Sequence, residues 1–384
     1  MMQMNDRRPD VIVVGAGLHG LSAALHLARA GLKPLVLEKD YPGRHASGVN
    51  AGGVRRLGRH LAEVPLSAVA MTMWHNIADL VGDDCGFVRC GQIKIAETED
   101  ELAKLKKRAR EVQAIGYDHE EIIGQDELRE HIPAIARHCV GAMICRDDGA
   151  ALPFRTTAAF AYRARSLGVE ILESHPVTAI RRDAGQWHVT AAGRQFEAPL
   201  LVNAAGAWAG HLAALAGDPV PLQPQAPMLM ITERVAPFIK PVVGATGRTL
   251  SFKQFDNGTV LIGGGLRGKA FPERNITTIK LAAMRTSAQT VGALFPQMSD
   301  ARIVRFWAGI EAIMPDEIPV LGKSPNAEGL YHSFGYSAHG FQLSPVTGRI
   351  IADLVMHGET DLPIEAFRAD RFNSSEDTGI ARIA

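Results

Sequence analysis

An α/β fold is expected for this chain of 384 residues, and three observations predict it. Apolar strand-like runs end at glycines and open into helical patterns at three distant places, Val11–Gly20, Leu200–Trp208 and Leu330–Phe341. Between the second and third, prolines 219, 221, 224 and 227 precede alternating segments suited to an antiparallel sheet. The length exceeds what one hydrophobic core usually serves, so two domains are expected, one inserted in the other.

The first corner is the most informative. Val11–Val14 is short, apolar and β-branched, as a buried parallel strand should be. Gly15, Gly17 and Gly20 then form G-x-G-x-x-G, with Ala16 and His19 between them. The first glycine permits the tight turn, the second lets backbone approach a pyrophosphate, and the third lets helix and strand pack closely. From Leu18 apolar residues recur at helical spacing until Gly31, so the helix's first amides face the phosphates. A second strand, Leu35–Leu37, delivers Glu38 about 20 residues on, where an acid holds a ribose diol. Strand, glycines, helix, strand and acid in that order predict a Rossmann-like, dinucleotide-binding unit.

Further along, Val64–Leu80 reads as a helix, Phe87–Ala96 as a strand, and Thr98 with Glu101 as a capping box opening a charged, solvated helix. Asp147, Asp148 and Gly149 form a turn before the helix Pro153–Ser166; no other ligands at useful spacing support a metal there. Val169–Leu172 is another parallel strand, and Trp187–Thr190 with Gln195–Ala198 a small hairpin. Strands at Met228–Thr232, Thr249–Gln254 and Thr259–Gly263 follow, the last two joined by an Asp256-Asn257-Gly258 turn. Ile279–Leu294 is a helix, and Ile303–Ile310 returns to strand. The domains expected are a nucleotide-binding part over 1–86, 147–217 and 301–384, and a substrate-binding part over 87–146 and 218–300.

Lys+Arg and Asp+Glu both number 41, so no global field recruits nucleic acid or an anionic membrane. The N-terminal MMQMNDRRPD lacks the apolar core of a secretory signal, and the longest charge-free window, 198–217, is broken by Asn203 and glycines, unlike a membrane span. Cys85, Cys90, Cys139 and Cys145 have neither C-x-x-C nor iron–sulfur spacing and read as reduced thiols of a cytoplasmic protein. No metal is expected.

These features resemble the D-amino-acid oxidase superfamily of FAD-dependent oxidoreductases, which includes sarcosine and glycine oxidases. The carriers are the N-terminal glycines, the polar HASGVNAGGVR stretch (45–55), the "ATG-type" strand end Ala205-Gly206-Ala207-Trp208, Trp307-Ala308-Gly309-Ile310 with Pro315–Gly322, and Gly335 to Gln342 around His339-Gly340-Phe341. The resemblance implies a two-dinucleotide-binding fold with an inserted antiparallel substrate sheet, and FAD in preference to NAD. It implies cofactor contacts from Gly15, Ala16, Gly17, His19, Gly20, Glu38, Lys39, Ser47, Asn50, Ala51, Gly52 and Gly53. Further contacts are implied from Val177, Ala205, Gly206, Trp208, Gly309, Gly335, His339, Gly340, Phe341 and Gln342. The helix after His339 would direct its amide dipole at the negative N1–C2=O locus of a reduced flavin.

Departures from the family pattern carry expectations too. Gly309 stands where monomeric sarcosine oxidases bond FAD through cysteine, and Asn50 where dimethylglycine dehydrogenases use histidine, so FAD is expected to be non-covalent. Gln342 replaces a lysine that binds the substrate carboxylate, and Glu311 stands near an arginine of glycine oxidases. Leu261 aligns with the lysine credited with activating oxygen, which implies poor reactivity with O₂. Arg55, or its neighbour Arg56, is then the candidate carboxylate clamp. His339 is read as a flavin contact in preference to a general base. Either Lys253 or Gln254 faces the substrate, since alternation allows only one.

Within the superfamily the motifs look most like the small flavin subunit of D-hydroxyproline dehydrogenases and opine (octopine, nopaline) oxidases. That likeness implies a hetero-oligomer with a larger nucleotide-binding subunit and a small iron–sulfur subunit, any FMN or iron–sulfur centre belonging to those partners. The leading expectation is a dehydrogenase of CH–NH bonds in secondary amines, imino acids or amino acids. A stand-alone oxidase of glycine, sarcosine or D-amino acids that makes hydrogen peroxide and a non-catalytic flavin-binding assembly subunit are the rivals.

Overall fold

The computed structural model describes residues 8–373; most of the segment read for a secretory signal lies outside them. Six strands form one sheet in the order Val320–Lys323, Leu330–Phe334, Leu200–Asn203, Val11–Val14, Pro34–Leu37 and Glu170–Leu172. All neighbours run parallel except the first pair. Register couples Val14 with both Asn203 and Leu37, so the carboxyl ends of these strands share one edge. In an open parallel sheet that edge is where ligands bind.

Helices Leu18–Arg29, Pro153–Ser166 and Gly340–Met356 cover this sheet and bury its apolar face with Val11, Val13, Val36, Val202 and Leu321. Their apolar stripes explain the burial: Leu21, Ala24 and Leu25 in the first helix and Val346, Ile350 and Ile351 in the last are all 0 % exposed. The helix expected over Val64–Leu80 is two pieces, Val64–His75 and Ile77–Val81, broken at Asn76. The N-cap at Thr98 forms, its Oγ1 accepting from Glu101 N–H; Glu101 Oε2 reaches back to Glu97 N–H, one residue earlier than a strict capping box.

The second sheet has 11 strands, nine in one continuous order and two more paired to its long strand, and is antiparallel at most pairs. Alternation decides its two faces. Ile93, Ile95, Ile144, Phe252 and Ile262 face a core closed by Val291 and Leu294 of helix Leu281–Leu294. Gln92, Lys94, Met143, Gly244 and Ser251 face a cavity. The Asp256-Asn257-Gly258 turn joins Ser251–Gln254 to Thr259–Gly263 as expected, with Gly258 at φ 88°. One boundary differs: Ile303–Ala308 and Glu311–Ile313, expected with the nucleotide-binding part, pair with the long strand Gln223–Arg234. Their backbone groups find antiparallel partners there, so this strip belongs to the second sheet. Among the described residues no helix is long and apolar enough to cross a membrane.

Candidate active site

Between the two sheets lies a cavity of about 1660 Å³, larger than the roughly 300–1,000 Å³ that drug-sized ligands occupy. The three glycine corners meet on its wall. Gly15 adopts φ +103°, and a Cβ there would stand 2.5 Å from Ala204 O, so the first and second corners touch at a point only glycine fits. A Cβ on Gly340 would stand 2.6 Å from His19 Nε2, which joins the third corner to the first. His19 stacks on Tyr336 at 3.5 Å and 4°, and its Nδ1 lies 2.8 Å from Thr347 Oγ1. Burial pushes this imidazole down to about 3, so it is neutral at physiological pH.

At the nucleotide end, Glu38 accepts Ala16 N–H at 2.7 Å and Asp40 N–H at 2.9 Å. Burial raises its carboxyl against those two bonds and Lys39. Ser47 Oγ accepts Leu18 N–H at 2.9 Å, placing a hydroxyl at the first helix's N-terminus. Lys39 Nζ lies 4.0 Å above the Trp208 ring and bonds Asp40 and Asn275. Asn50 closes its own turn, donating to Ala46 O and Ser47 O and accepting from Gly52 N–H. Ala51, Gly52, Gly53, Val177, Ala205, Gly206, Gly309, Gly335 and Phe341 line the same cavity, as do Gly17, His339 and Arg55. Ala16, Gly20 and Gln342 do not.

Gln342 is the clearest departure from expectation. It is 0 % exposed, and both ends of its amide are engaged: Nε2 donates to Ser67 O at 2.8 Å, while Oε1 accepts from Ser67 Oγ and Arg59 Nη2, both at 3.1 Å. The side chain points between helices, away from the cavity. Its partner Arg59, unnoticed in the sequence, is 1 % exposed and also donates to Arg55 O at 3.0 Å and His339 O at 2.7 Å. Glu63, 0 % exposed, lies 3.5 Å from His339 Nδ1, and neither of its oxygens has a hydrogen bond. Burial opposes its charge, but His339, Arg59 and Arg55 together hold its carboxyl below the usual range. Burial likewise lowers His339, against the pull of Glu63.

Arg55 lines the cavity and donates to Leu57 O at 2.6 Å. Asp148 explains how that loop is held. This turn acid, dismissed as a metal ligand, is 0 % exposed and accepts Arg56 N–H at 2.8 Å and Leu57 N–H at 2.9 Å. Arg56 itself is absent from the cavity wall. Across from Arg55, Lys94 has no hydrogen-bonding partner among the described residues, and burial lowers its ammonium, Arg55 adding to that. The alternating Gln92-Ile93-Lys94-Ile95 was the available signal for this polar face.

Neither Lys253 nor Gln254 is on the cavity wall. Gln254 binds Phe238 N–H and the carbonyls of Val235, Ala236 and Gly258. Lys253 is 6 % exposed, its Nζ 3.2 Å from where a Cβ on Gly52 would stand. Burial pushes it down to about 8. It pairs in register with Leu261, so the two side chains share one face. All four cysteines are free thiols, and no described cluster of His, Cys, Asp or Glu could hold a metal.

An acid at the end of the second strand, three glycine corners in mutual contact and a cavity of this size fit FAD. The comparisons agree. The family model described as FAD dependent oxidoreductase (DAO) matches residues 10–354. Among relatives, glycine oxidase of Geobacillus kaustophilus is 28 % identical over 95 % of this chain and 97 % of its own length. The beta subunit of sarcosine oxidase from Rhizobium meliloti is 28 % identical over 94 % and 88 %, and an opine oxidase subunit from Rhizobium meliloti 26 % identical over 96 % and 98 %. The crystal structure of L-proline dehydrogenase from P. horikoshii superposes with a TM-score of 0.88 at 25 % identity, covering 96 % of this chain and 98 % of that one. The chain therefore belongs to the DAO family of FAD-dependent oxidoreductases, whose members here are oxidases and dehydrogenases of amino acids and amines.

Proposed function

We propose that this protein oxidises the CH–NH bond of a secondary amine, imino acid or amino acid, of the D-hydroxyproline, opine or sarcosine kind, as a dehydrogenase subunit passing electrons to a partner. One observation carries the substrate class: Arg55 and Lys94, from separate segments, face one cavity with no carboxylate hydrogen-bonded to either, Glu63, Asp148 and Glu120 acting on Arg55 and Glu120 on Lys94 only through space. Two like charges so enclosed are stabilised by an anion between them, and a substrate carboxylate supplies it.

Bound FAD would accept a hydride from the carbon next to nitrogen. Arg55 and Lys94 orient the carboxylate so that this carbon faces the glycine-lined wall. The helix Gly340–Met356 has no side chain capping its N-terminus, which leaves its first amides free to stabilise negative charge in the cavity. Glu38 would hold the ribose, and Gly15, Gly17 and Ser47 the pyrophosphate. Gly309 and Asn50 offer no thiolate or imidazole, so the cofactor would be non-covalent. Relatives named as subunits of sarcosine and opine oxidases support a hetero-oligomer, in which FMN or an iron–sulfur centre would reside on partner chains.

A second reading has its own support. Lys253 places an ammonium against Gly52, and a cation there favours reduction of O₂, in which negative charge develops. A stand-alone oxidase then follows. Anaerobic bleaching of the bound chromophore by proline derivatives, opines and N-methyl amino acids tests the shared reading; no bleaching by any of them rejects it. Peroxide yield in air separates the two, stoichiometric peroxide at a useful rate ruling out the dehydrogenase. Arg55→Ala should raise KM for carboxylate substrates about 10- to 150-fold, from loss of a charge-assisted hydrogen bond.

A further inference from the structure

Glu311 begins the short strand Glu311–Ile313 and lines the cavity. Its Oε1 accepts Ala338 N–H at 2.8 Å, and no protein group hydrogen-bonds Oε2 among the described residues. It pairs in register with Gln225 of the long strand, and Gln225 Oε1 in turn accepts from Arg267 Nη1. Arg267 lines the cavity on the other side of that strand. The wall thus offers a carboxylate with a free oxygen and, two strands away, a guanidinium with free N–H groups. We propose that Glu311 Oε2 receives the ammonium of the substrate and takes one of its N–H protons.

The loop that Glu311 touches is shaped for recognition. Ser337 at φ 50° and Ala338 at φ 67° are consecutive non-glycine residues in the left-handed region, a conformation that surrounding contacts must hold. Ser337 is tied by Met314 N–H at 3.0 Å and by its own N–H to Ala312 O, so the strand carrying Glu311 fixes the loop. A staple needs one acceptor atom only, which a glutamine would also provide. The charge and the second oxygen are what a ligand uses. Burial pushes the Glu311 carboxyl up to about 7, opposed by the Ala338 bond and by Arg267, the charged group acting on it. An acid so poised matches the task of deprotonating an amine near neutral pH.

This assignment rests on the amine-oxidation reading and balances as a proton transfer. One N–H bond of the ammonium breaks, its electron pair stays on nitrogen, and an O–H bond forms on Glu311. The neutral amine then holds the lone pair that hydride departure to FAD requires. A glutamate facing the amine also selects against substrates that present only carboxylates to this wall.

The test uses the FAD-loaded full chain, reduced anaerobically in a stopped-flow by sarcosine, L-proline and D-proline between pH 6 and 9. In the wild type, kred/Kd should fall about tenfold per pH unit below about 7, as Glu311 protonates. Glu311→Gln should abolish that limb and weaken Kd about 10- to 150-fold at pH 8, with FAD affinity and thermal midpoint unchanged. A glutamine variant keeping the limb and a Kd within threefold of wild type overturns the assignment. If that variant loses FAD, Glu311→Asp decides: retention of the limb supports the proton transfer, and its loss assigns Glu311 to the loop staple. A wild type that no amine bleaches rejects the functional reading itself, a result distinct from a bleached wild type with an indifferent Glu311→Gln.

Discussion

Replacing Arg59 with methionine tests the buried network at the cavity wall. The guanidinium is 1 % exposed and donates to Arg55 O, His339 O and Gln342 Oε1. It is also the group next after His339 in holding the Glu63 carboxylate ionised against burial. Arg59→Met strands Glu63, whose oxygens have no hydrogen bond of their own. Arg59 and Glu63 make no direct ion pair, but leaving a buried charge uncompensated costs about 3–5 kcal/mol, whereas an apolar replacement of both charges is often neutral. Denaturant unfolding of the FAD-loaded protein at pH 8 should therefore show Arg59→Met destabilised by ~3–5 kcal/mol. Arg59→Met with Glu63→Gln should recover most of that, a coupling of at least ~1 kcal/mol. A single variant within ~1 kcal/mol of wild type, or a double variant no better than the single, refutes the account.

Three more outcomes are expected. Gly15→Ala forces a side chain into a left-handed position against Ala204 O, costing ~2–5 kcal/mol from strain and overlap together; FAD titration should show a large loss of affinity, and unchanged binding would separate this corner from the cofactor. Lys253 has its folded value lowered from 10.5 to about 8, so the folded form disfavours the charge. The penalty for holding it charged is full below about pH 8 and vanishes above pH 10.5, so Lys253→Met should be more stable than wild type at pH 7 by up to ~3 kcal/mol, with the gap closing towards pH 10.5; peroxide formation in air should fall in the same variant if the oxidase reading holds. Gln342→Ala leaves Arg59 and Ser67 short of a partner and should cost ~1–3 kcal/mol in unfolding while Kd for the substrate amine stays within threefold; a large Kd change with unchanged stability would return Gln342 to the substrate.

Much of the nucleotide end was legible because its signals are local. A glycine at φ +103°, an acid at the end of a short apolar strand and apolar residues at helical spacing each describe their own few neighbours. The alternating strands and the Asp256–Gly258 turn are read the same way. The substrate end was less legible. Arg59 and Gln342 are 283 residues apart, and nothing near either one foretells that the amide turns inward to meet the guanidinium. Similarity to a family lysine suggested a substrate contact for Gln342, but an amide is neutral and carries both donor and acceptor groups, which Ser67 and Arg59 engage at a helix interface.

By itself the sequence determined the order of strands, glycine corners and helices, because backbone dihedral preference and hydrophobic period act over a handful of residues. It also carried the family, since those corners are chemically specific. Tertiary structure alone decided which polar side chains face the cavity. Strand register made Lys253 the neighbour of Leu261, joined Glu311 to Gln225 and Arg267, and opposed Lys94 to Arg55. Whether a buried polar group reaches a protein partner or stays open to a ligand depends on atoms brought together across the whole fold, where the loss of solvation makes that difference large.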